Sequence, residues 1–311
     1  MNISDVSVIV ITHNRFDKLL HCLDCLEKQT VQGFEVVVVI DGSTDQTSGG
    51  LSKYIAKNFS LNVINKQNEG RSMSRNRGAA EAKGSVLVFF DDDMRPFPDC
   101  VAEHLSFIDV HSNSISVGTQ EDDPSKAESD FDKFRIHIGK GWERALEQPA
   151  EDRKPYLTSA NFCIRKGTFV QLKGFDKKTE NAEDFDLGVR AVEKGIKVRY
   201  NSKARSWHDS NMSCGPFIKR EIEYYRSFLE VARRYPAIIK GDISRYQPTG
   251  IKRLAYSILS QQFLIPLVDR NFFTFVMPRA MRYKFYDVLI TGLSKVYPGR
   301  FTLQQVRHHG R

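Results

Sequence analysis

The sequence predicts an α/β fold: a doubly wound, mostly parallel sheet with a helical C-terminal extension. Within residues 6–118, short runs of apolar and often β-branched residues alternate with segments in which apolar residues recur at helical spacing. Continuous apolar runs are typical of strands buried on both faces, and strand–helix alternation is typical of parallel sheets. After about residue 217 the spacing is helical to the end of the chain. These two patterns together predict the fold class.

The first four predicted strands are separated by three predicted helices. Val6–Thr12 is an almost unbroken run of β-branched residues, and residues 34–40 form a similar run that ends at the turn-forming sequence Asp-Gly-Ser-Thr-Asp. Residues 61–65 predict a short third strand, and the apolar run at 86–90 predicts a fourth. Helical spacing predicts the three helices at 16–26, 46–58 and 72–82.

The rest of the sheet region has a weaker pattern. Residues 120–155 are polar and predict an irregular, partly helical excursion over the surface. A strand at 156–164, a helix at 182–193 and a short strand at 197–200 are predicted to follow. Ligands of doubly wound sheets bind at the carboxyl ends of the strands, near the point where the strand order reverses. The polar residues directly after each strand are therefore the candidates for a functional site.

Composition excludes several classes of protein. With 41% hydrophobic residues, 20 Gly and 11 Pro in 311 residues, the chain is globular and neither collagen-like nor of low complexity. No apolar run reaches the roughly 18–20 residues that cross a membrane, and the N-terminus lacks the pattern of a signal peptide. Five cysteines are an odd and sparse count, which argues against a disulfide framework and favours a reducing compartment, so the expected location is cytoplasmic. The second half of a zinc site is also missing.

The positive charge is concentrated in the last part of the chain. The formal net charge is +8, but residues 251–311 hold ten Lys or Arg and two acids, which leaves 36 of each sign in residues 1–250. The body of the protein is thus neutral, and no nucleic-acid partner is expected. Basic and aromatic residues together predict either peripheral contact with a membrane, through cations such as Arg279, Arg282 and Lys284, or a helical cap or oligomer contact.

Three successive carboxylates, Asp91, Asp92 and Asp93, directly follow the predicted strand at 86–90. Side by side at the end of a buried strand they would repel one another, and their pKa values would rise unless a cation lay among them. Mg²⁺ or Mn²⁺ prefers carboxylate, water and phosphate oxygens, so a metal bound here could bridge to a nucleotide diphosphate. The alternative is a solvated acidic turn. The sequence contains neither GxGxxG nor GxxxxGK, the usual dinucleotide and P-loop motifs.

Four separated motifs resemble, in order and approximate spacing, those of family 2 glycosyltransferases with the GT-A fold. They are VSVIVITHNR, VVVIDGSTDQT, NEGRSMSRNRGAAEAKGSVLVFFDDDM and GFDKKTENAEDFDLGVRA, within about residues 5–210. The resemblance implies a Rossmann-like, doubly wound catalytic domain over residues 1–215, with a nucleotide-sugar half at about 1–118 and an acceptor half at about 119–215. Residues 216–311, which the resemblance does not cover, would be the helical basic extension.

The resemblance implies roles for the motif residues on the donor side. Asp41 would hydrogen-bond the base, commonly uracil in this family, next to a turn formed by Gly42 and Ser43. Arg75 would lie near the base and the diphosphate, with Asn76 as a neighbour. The residues implied to bind the nucleotide sugar are Thr12, His13, Asn14, Asp41, Arg75, Asp91 and Asp92.

The metal and acceptor sides follow from the same resemblance. Asp91 and Asp93 would form the family's DxD pair, in which Asp91 faces the ribose or sugar and Asp93 ligates Mn²⁺ or Mg²⁺. His208 would complete the metal shell. Glu183 and Asp184 resemble the family's ED motif, with Asp184 as the general base that takes the acceptor hydroxyl proton and Glu183 beside it. The alternative for both acids is a first helical turn stabilised by the helix dipole.

The resemblance implies a metal-dependent, inverting glycosyltransferase. It would move a sugar from a nucleotide diphosphate sugar, a UDP-sugar by preference, to a hydroxyl of a glycan or lipid-linked acceptor. Such an acceptor would belong to polysaccharide or lipopolysaccharide biosynthesis, at the inner face of the cell membrane. Two alternatives stay open. One is a sugar-nucleotide nucleotidyltransferase, for which a Gly- and Lys-rich triphosphate loop is missing. The other is a catalytically silent carbohydrate-binding scaffold.

Overall fold

A computed structural model describes residues 2–147, 155–179, 181–210, 212–239 and 248–302 of the chain. The described residues divide into two compact units. The sheet unit lies within residues 1–122 and 141–210, and the helical unit lies within residues 123–140 and 211–311. The segment 123–140, which the sequence analysis assigned to the acceptor half, thus groups with the C-terminal extension.

Within the described ranges, the strands all lie before residue 210. In chain order they are β1 (Val6–Thr12), β2 (Glu35–Asp41), β3 (Ser60–Lys66), β4 (Val86–Asp91), β5 (Met94–Pro96), β6 (Ser114–Val117), β7 (Glu121–Asp122), β8 (Asn161–Arg165), β9 (Lys197–Tyr200) and β10 (Ser206–His208). The helices of the same stretch are α1 (Phe16–Glu27), α2 (Thr47–Leu51), α3 (Arg71–Glu81), α4 (Cys100–Val110), α5 (Asp130–Leu146), α6 (Lys166–Gln171) and α7 (Glu183–Glu193).

The main sheet has the strand order β3-β2-β1-β4-β8-β6-β9 among the described residues. Only β8 runs antiparallel to its neighbours in this sheet, as described, while β1, β2, β3 and β4 pair in parallel, as do β6 and β9. The strand order reverses at β1, because the chain adds β2 and β3 on one side and then β4 on the other. The carboxyl ends of β1 and β4 therefore form the switch point at which such sheets bind ligands. A small second sheet has the order β5-β10-β7.

Both faces of the main sheet are buried. Val8 and Val10 of β1 belong to one apolar cluster, while Ile9 and Ile11 belong to another. Successive side chains of a strand point to opposite faces, so the two clusters lie on opposite sides of the sheet. Burial of both faces is the physical reason for the continuous apolar runs in the sequence. The predicted doubly wound, mostly parallel sheet is confirmed.

Two predicted elements are shorter in the structure than in the sequence analysis. The helix predicted at 46–58 is α2, which ends at Leu51. It contains Gly50, where a Cβ would lie 2.0 Å from the Phe16 ring, so this glycine serves close packing rather than helix propensity. The strand predicted at 156–164 begins only at Asn161. The amide of Ser159 donates to the Asp184 carboxylate at 3.3 Å, so this stretch serves the site instead of a strand ladder.

Other elements escaped the sequence analysis. The segment predicted to be irregular contains α5, a helix of 17 residues. It also contains β7, which is only two residues long. The strands β5, β6 and β10 have three or four residues each, too few to show a period. The helix α4 was not predicted either. Residues 148–154, near the end of the segment predicted to be irregular, lie outside the described residues.

The helical unit continues with helices that pack around an aromatic core. They are α8 (Cys214–Arg234), α9 (Gly250–Leu259), α10 (Ile265–Asp269), α11 (Phe273–Val276) and α12 (Arg279–Thr291), followed by a π-helical turn at Gly292–Val296. Phe131, Phe134 and Tyr286 are among its most buried side chains. No helix in the part of the chain that the structure describes is long and apolar enough to span a membrane.

A buried ion pair joins α5 to α12 inside the helical unit. Nε and Nη2 of Arg282 donate to the two Asp130 carboxylate oxygens at 2.6 and 2.7 Å, and the Tyr286 hydroxyl donates to the same carboxylate at 3.0 Å. The expectation that Arg282 faces a membrane is therefore wrong. Its side chain is buried and its charge is neutralised by Asp130, 152 residues earlier in the chain.

Candidate active site

The predicted site residues gather at the switch point of the sheet. Ile11 of β1 lies opposite Asp91 of β4, and Thr12 lies opposite Ile40 of β2. The segments that leave these strands are Thr12–Arg15, Asp41–Asp45 and Asp91–Asp93, and all begin at the same edge of the sheet. Parallel pairing alone brings them together, because strands of equal direction and matched register end side by side.

Thr12 and Asp92 form a buried pair beneath this edge. The Thr12 hydroxyl donates to Asp92 Oδ2 at 2.7 Å, and both residues are almost fully buried. Burial raises the pKa of Asp92 to about 6, in spite of the nearby Arg15 guanidinium, which lowers it. Thr12 and Asp92, which the resemblance implied to bind the nucleotide sugar, are thus both buried, and their hydrogen bond joins the end of β1 to the turn after β4.

Asp93 lies beside His208 at the start of the small sheet. Nε2 of His208 is 3.6 Å from Asp93 Oδ1, and the Arg15 guanidinium is 3.2 Å from Asp93 Oδ2. Burial alone would raise the pKa of Asp93, but His208 and Arg15 lower it to about 2. The backbone also fixes the pair, since the amide of Asp209 donates to the Asp93 carbonyl at 2.8 Å. A carboxylate that stays ionised next to an imidazole is a suitable pair of ligands for Mn²⁺.

Asp93 and His208 by themselves do not form a complete metal cage. No group of three or more His, Cys, Asp or Glu side chains in the described ranges could hold a metal ion. Mg²⁺ and Mn²⁺ sites that act on phosphates typically use one or two carboxylates and leave the other positions to water and to phosphate oxygens. Asp93 and His208 fit a metal of this kind, which would be held jointly with a diphosphate.

His13 and Asn14 join the loop after β1 to the loop after β2. Asn14 has a positive φ of 54°, and its side-chain oxygen accepts the amide of Thr44 at 2.7 Å. The amide of Asn14 in turn donates to the Ser43 hydroxyl at 3.0 Å, and His13 Nδ1 lies 2.7 Å from the Asp41 carbonyl oxygen. These contacts shape one wall at the switch point.

Asp41 is the anchor of the loop that begins α3. Its carboxylate accepts Lys66 Nζ at 2.6 Å, the amide of Glu69 at 2.9 Å and the amide of Gly70 at 3.0 Å. Burial alone would raise the pKa of Asp41, but the hydrogen bonds from Lys66 and the Glu69 amide lower it below its ordinary value. Gly70 has a φ of 88° directly before the first helical residue. Asp41 thus fixes where α3 begins and so where Arg75 lies.

Arg75 joins the donor and acceptor halves of the predicted site. It is almost fully buried, and its Nη2 donates to Asp91 Oδ1 at 2.5 Å while its Nη1 donates to Glu183 Oε1 at 3.0 Å. The guanidinium also lies 5.5 Å from the centre of the Phe175 ring. Burial would lower the pKa of Arg75, but Asp91 and Glu183 raise it, so the side chain is cationic at any relevant pH. Asp91 and Glu183, 92 residues apart in the chain, share this one cation.

Asn76 supports the same region from below. Its side chain donates to the Phe175 carbonyl at 2.8 Å and accepts the Phe175 amide at 2.9 Å. At Gly174 a Cβ would lie 2.5 Å from Asn76 Oδ1, and the φ of 62° also favours glycine. Asn76 therefore clasps the Gly174–Phe175 turn in the described structure, which places the Phe175 ring under Arg75.

Asp184 differs from its neighbour Glu183 in its partners. Its carboxylate accepts the amides of Phe185 at 2.7 Å and Ser159 at 3.3 Å. Burial, followed by the charge of Glu183, raises the pKa of Asp184 to about 7, although Arg75 and the two amides act in the opposite direction. A carboxylate with a pKa near neutrality can both accept and hold a proton under ordinary conditions, which suits a general base.

Three cations at the site had been assigned no role from the sequence. Arg15 bridges Asp92 and Asp93, Lys66 pairs with Asp41, and Arg71 lies 3.5 Å from Glu183. Arg15 directly follows Asn14 in the first motif, and Arg71 lies in the third motif as the first residue of α3. Their position within the motifs was therefore the available signal. Lys66 is the last residue of β3, where the same rule about strand ends would have found it.

The chain is similar to known proteins in sequence and in fold. Residues 7–172 match the model of Glycosyl transferase family 2. The chain belongs to this family. A glucosyl-dolichyl phosphate glucuronosyltransferase of Haloferax volcanii is 25% identical over 216 residues, which are 65% of this chain and 68% of that protein. A pre-mycofactocin glycosyltransferase of Mycobacterium tuberculosis is 25% identical over 273 residues, 82% of this chain and 56% of that protein.

Other curated relatives of this family 2 glycosyltransferase match only in part. An uncharacterized glycosyltransferase of Escherichia coli is 35% identical over 94 residues, 30% of this chain and 27% of that protein. The chain thus spans less than two thirds of the length of several relatives that it matches. What those relatives share with it is the family.

Solved structures share the fold over nearly the whole chain. The mannosyltransferase PcManGT of Pyrobaculum calidifontis, in complex with GDP-Man and Mn²⁺, has a TM-score of 0.65 at 16% identity and covers 94% of this chain and 86% of its own. Residues 1–349 of TarS from S. aureus, in complex with UDP-GlcNAc, have a TM-score of 0.54 at 17% identity, with 95% and 92% covered. The predicted GT-A α/β fold, the family and the glycosyltransferase class are confirmed.

Proposed function

We propose that this glycosyltransferase moves a sugar from a nucleotide diphosphate sugar, a UDP-sugar by preference, to a hydroxyl of a glycan or lipid-linked acceptor. The observation that carries the proposal is the Arg75 bridge. It holds Asp91, at the strand end where a donor sugar would lie, and Glu183, beside the candidate base, in one cluster. A transferase needs the groups that bind the donor and the acceptor close together, because the positioning of two reactants supplies much of the rate enhancement.

Asp184 is the proposed general base. In an inverting displacement it takes the proton of the acceptor hydroxyl, whose oxygen bonds to the anomeric carbon while the bond from that carbon to the diphosphate oxygen breaks. The pKa of about 7 allows Asp184 to accept this proton near neutral pH. Glu183 is held by Arg75 and Arg71, which leaves Asp184 as the acid of the pair without a cationic hydrogen-bond donor among the described residues.

Asp93 and His208 are the proposed ligands of a divalent cation, Mn²⁺ or Mg²⁺. A bound cation would neutralise the charge that develops on the departing diphosphate. The depressed pKa of Asp93 keeps this ligand ionised throughout the physiological range. The fold-sharing mannosyltransferase that contains GDP-Man and Mn²⁺ supports a divalent cation for this chain as well.

The proposed donor class is a nucleoside diphosphate sugar. The two solved structures compared above contain GDP-Man and UDP-GlcNAc, which share the diphosphate and differ in base and sugar. The preference for uracil rests on Asp41, a carboxylate that could accept the base N–H. The Asp41 carboxylate lies at the carboxyl end of β2 and accepts three hydrogen bonds. Because a carboxylate has about four acceptor positions, these three bonds alone do not fill it.

The acceptor and the place of the reaction are proposed from the family resemblance and the basic extension. A lipid-linked or glycan acceptor of polysaccharide or lipopolysaccharide biosynthesis would be met at the inner face of the cell membrane. The relative whose name includes a dolichyl phosphate supports a lipid-linked acceptor.

The decisive experiment measures donor binding and turnover in the same two proteins. Thermal unfolding of the wild type and of Asp184→Asn is followed with UDP-sugars, GDP-sugars and Mn²⁺, each with and without chelator. A ligand at 100 times its Kd stabilises the folded state by about 2.7 kcal/mol. UDP-sugars with Mn²⁺ should raise the unfolding temperature of both proteins, while Asp184→Asn loses about 10²–10⁴-fold in sugar transfer or donor hydrolysis.

The control is Glu193→Gln, an exposed acid at the other end of α7, which should keep full turnover. If no nucleotide sugar stabilises the protein, the proposed donor class is wrong. Stabilisation by GDP-sugars alone would correct the base, and wild-type turnover in Asp184→Asn would remove Asp184 as the base.

A further inference from the structure

One face of α9 exposes a stripe of large apolar side chains. Ile251, Leu254 and Ile258 are 87%, 60% and 60% exposed. Their spacing of three and four residues places them on the same side of the helix. The opposite side packs inside the unit, since at Gly292 a Cβ would lie 3.2 Å from the Tyr256 ring. The stripe therefore faces away from the core of its own unit.

Exposed apolar side chains are concentrated in this part of the chain. Thirteen large ones are exposed among the described residues, and eight of them lie within residues 251–281. Besides the α9 stripe they include Phe263 at 70% and Phe275 at 85% exposure. Single exposed apolar residues are ordinary, but a concentration of this kind marks an interaction surface.

The charged residues of α9 have one sign. At 100° per residue, Lys252 and Arg253 each lie about 130° from the middle of the stripe, one in each direction around the helix, and both are exposed. Residues 248–268 contain no Asp or Glu. Exposed Arg270 and Arg279 follow nearby in the chain, whereas Arg282 is excluded because it is buried against Asp130. The α9 face, defined as Ile251, Leu254 and Ile258 with Lys252 and Arg253, is therefore apolar in the middle, with one long cationic side chain further round the helix in each direction.

We propose that the α9 face docks on an anionic lipid surface. An apolar stripe between flanking cations matches the boundary between acyl chains and anionic headgroups, where the stripe is buried and the long basic side chains reach the phosphates. The exposed Phe263 and Phe275, which follow α9 in the chain, favour the same interface. The α9 face extends the proposed function, because it would bring the enzyme to a lipid-linked acceptor. It is tested without turnover, so failure of one proposal is distinguishable from failure of the other.

The test is co-sedimentation of the full chain with vesicles. Vesicles of phosphatidylcholine with about one third phosphatidylglycerol should bind the protein, and pure phosphatidylcholine vesicles should not. Each cation near an anionic surface strengthens binding about fivefold, so Lys252→Gln with Arg253→Gln should weaken it about 25-fold. Leu254→Gln with Ile258→Gln should weaken it at least as much, and binding should fall as salt is raised.

The control removes the same charge from the sheet unit. Lys53→Gln with Lys57→Gln changes two exposed lysines far from α9 in the chain and should leave vesicle binding within about twofold of wild type. All variants are compared by thermal unfolding, so that a misfolded protein is recognised. Equal weakening in the control, equal binding to neutral vesicles, or no binding to anionic vesicles overturns the proposal. Light scattering that shows a dimer which the α9 variants dissociate, without vesicle binding, also overturns it.

Discussion

Adjacent acids in this protein have different chemistry because their partners differ. Glu183 accepts a hydrogen bond from Arg75, whereas Asp184 accepts only backbone amides within the described structure, and its pKa rises to about 7. The same contrast separates Asp92, whose pKa is raised to about 6 by burial, from Asp93, where His208 and Arg15 outweigh burial and lower the pKa to about 2. Environments that separate the pKa values of paired acids are typical of acid–base sites.

The first prediction concerns Arg75→Lys. A lysine keeps the charge but cannot donate to Asp91 and Glu183 from the two ends of a planar fork. Misplacement of the cluster by about 1 Å should cost on the order of 10²-fold in kcat. Because a lysine keeps the positive charge that lowers the pKa of Asp184, the rise of kcat with pH should stay near pH 7 in the variant, as expected for the wild type.

Arg77→Lys is the matched control for this variant. Arg77 lies two residues further along α3, is exposed and pairs with Glu81. Its substitution should change neither kcat nor the pH profile. A wild-type kcat in Arg75→Lys would show that the paired hydrogen bonds of Arg75 do not position the cluster.

At the scale of elements, α3 is positioned by contact with the sheet as well as by its first residue. Its Gly78 lies against β1 and β2, where a Cβ would be 2.7 Å from Ile9 Cγ2 and 3.2 Å from Val39 Cγ2. The absence of a side chain lets the helix backbone approach the sheet. Arg75 lies one turn earlier on the same helix, so this approach helps to set its distance from Asp91.

We therefore expect Gly78→Ala to destabilise the protein and to lower turnover. In an exposed helix this change stabilises by about 0.8–1 kcal/mol, but overpacking of a buried contact costs about 1–3 kcal/mol, so the net effect here should be destabilising. The measurements are the free energy of unfolding in denaturant and kcat. Gly49→Ala in α2, where nothing lies within 4 Å of the added Cβ, should be neutral or slightly stabilising. A stabilised Gly78→Ala would contradict close packing of α3.

The whole molecule consists of two units with separate means of stabilisation. The sheet unit buries both faces of its main sheet, while the helical unit buries an aromatic cluster and the Asp130–Arg282–Tyr286 network. A chain of this kind can unfold in more than one transition.

Asp130→Ala should therefore destabilise the helical unit selectively. It leaves the Arg282 guanidinium and the Tyr286 hydroxyl without their shared acceptor, at a cost of about 1.5–3 kcal/mol. Unfolding in denaturant should show an earlier transition, while stabilisation by the nucleotide sugar persists, because the donor residues lie in the sheet unit. Asp287→Ala, an exposed acid of α12, should behave as wild type. Equal stability of Asp130→Ala and wild type would show that the network contributes nothing.

The sequence by itself determined the fold class, the family and most elements of the sheet. Buried strands such as Val6–Thr12 and Glu35–Asp41 are visible as apolar runs, because a strand covered on both faces needs apolar residues at every position. The acids after β4 and at the start of α7 are equally visible, since they follow directly from motif positions. Short elements such as β7 and β10 were not predicted, because two or three residues show no period.

Only the tertiary structure decided which of these residues meet. Arg75 contacts Asp91, 16 residues away, and Glu183, 108 residues away, and no local pattern contains either pairing. In the sequence, Arg282 belongs to a basic segment, but in the structure its charge is neutralised by Asp130, 152 residues earlier. Composition adds up charges without regard to position, whereas burial and pairing depend on distance. The physical reason is that periodicity is a local property of the chain, while a site is made where topology brings distant segments to one edge of a sheet.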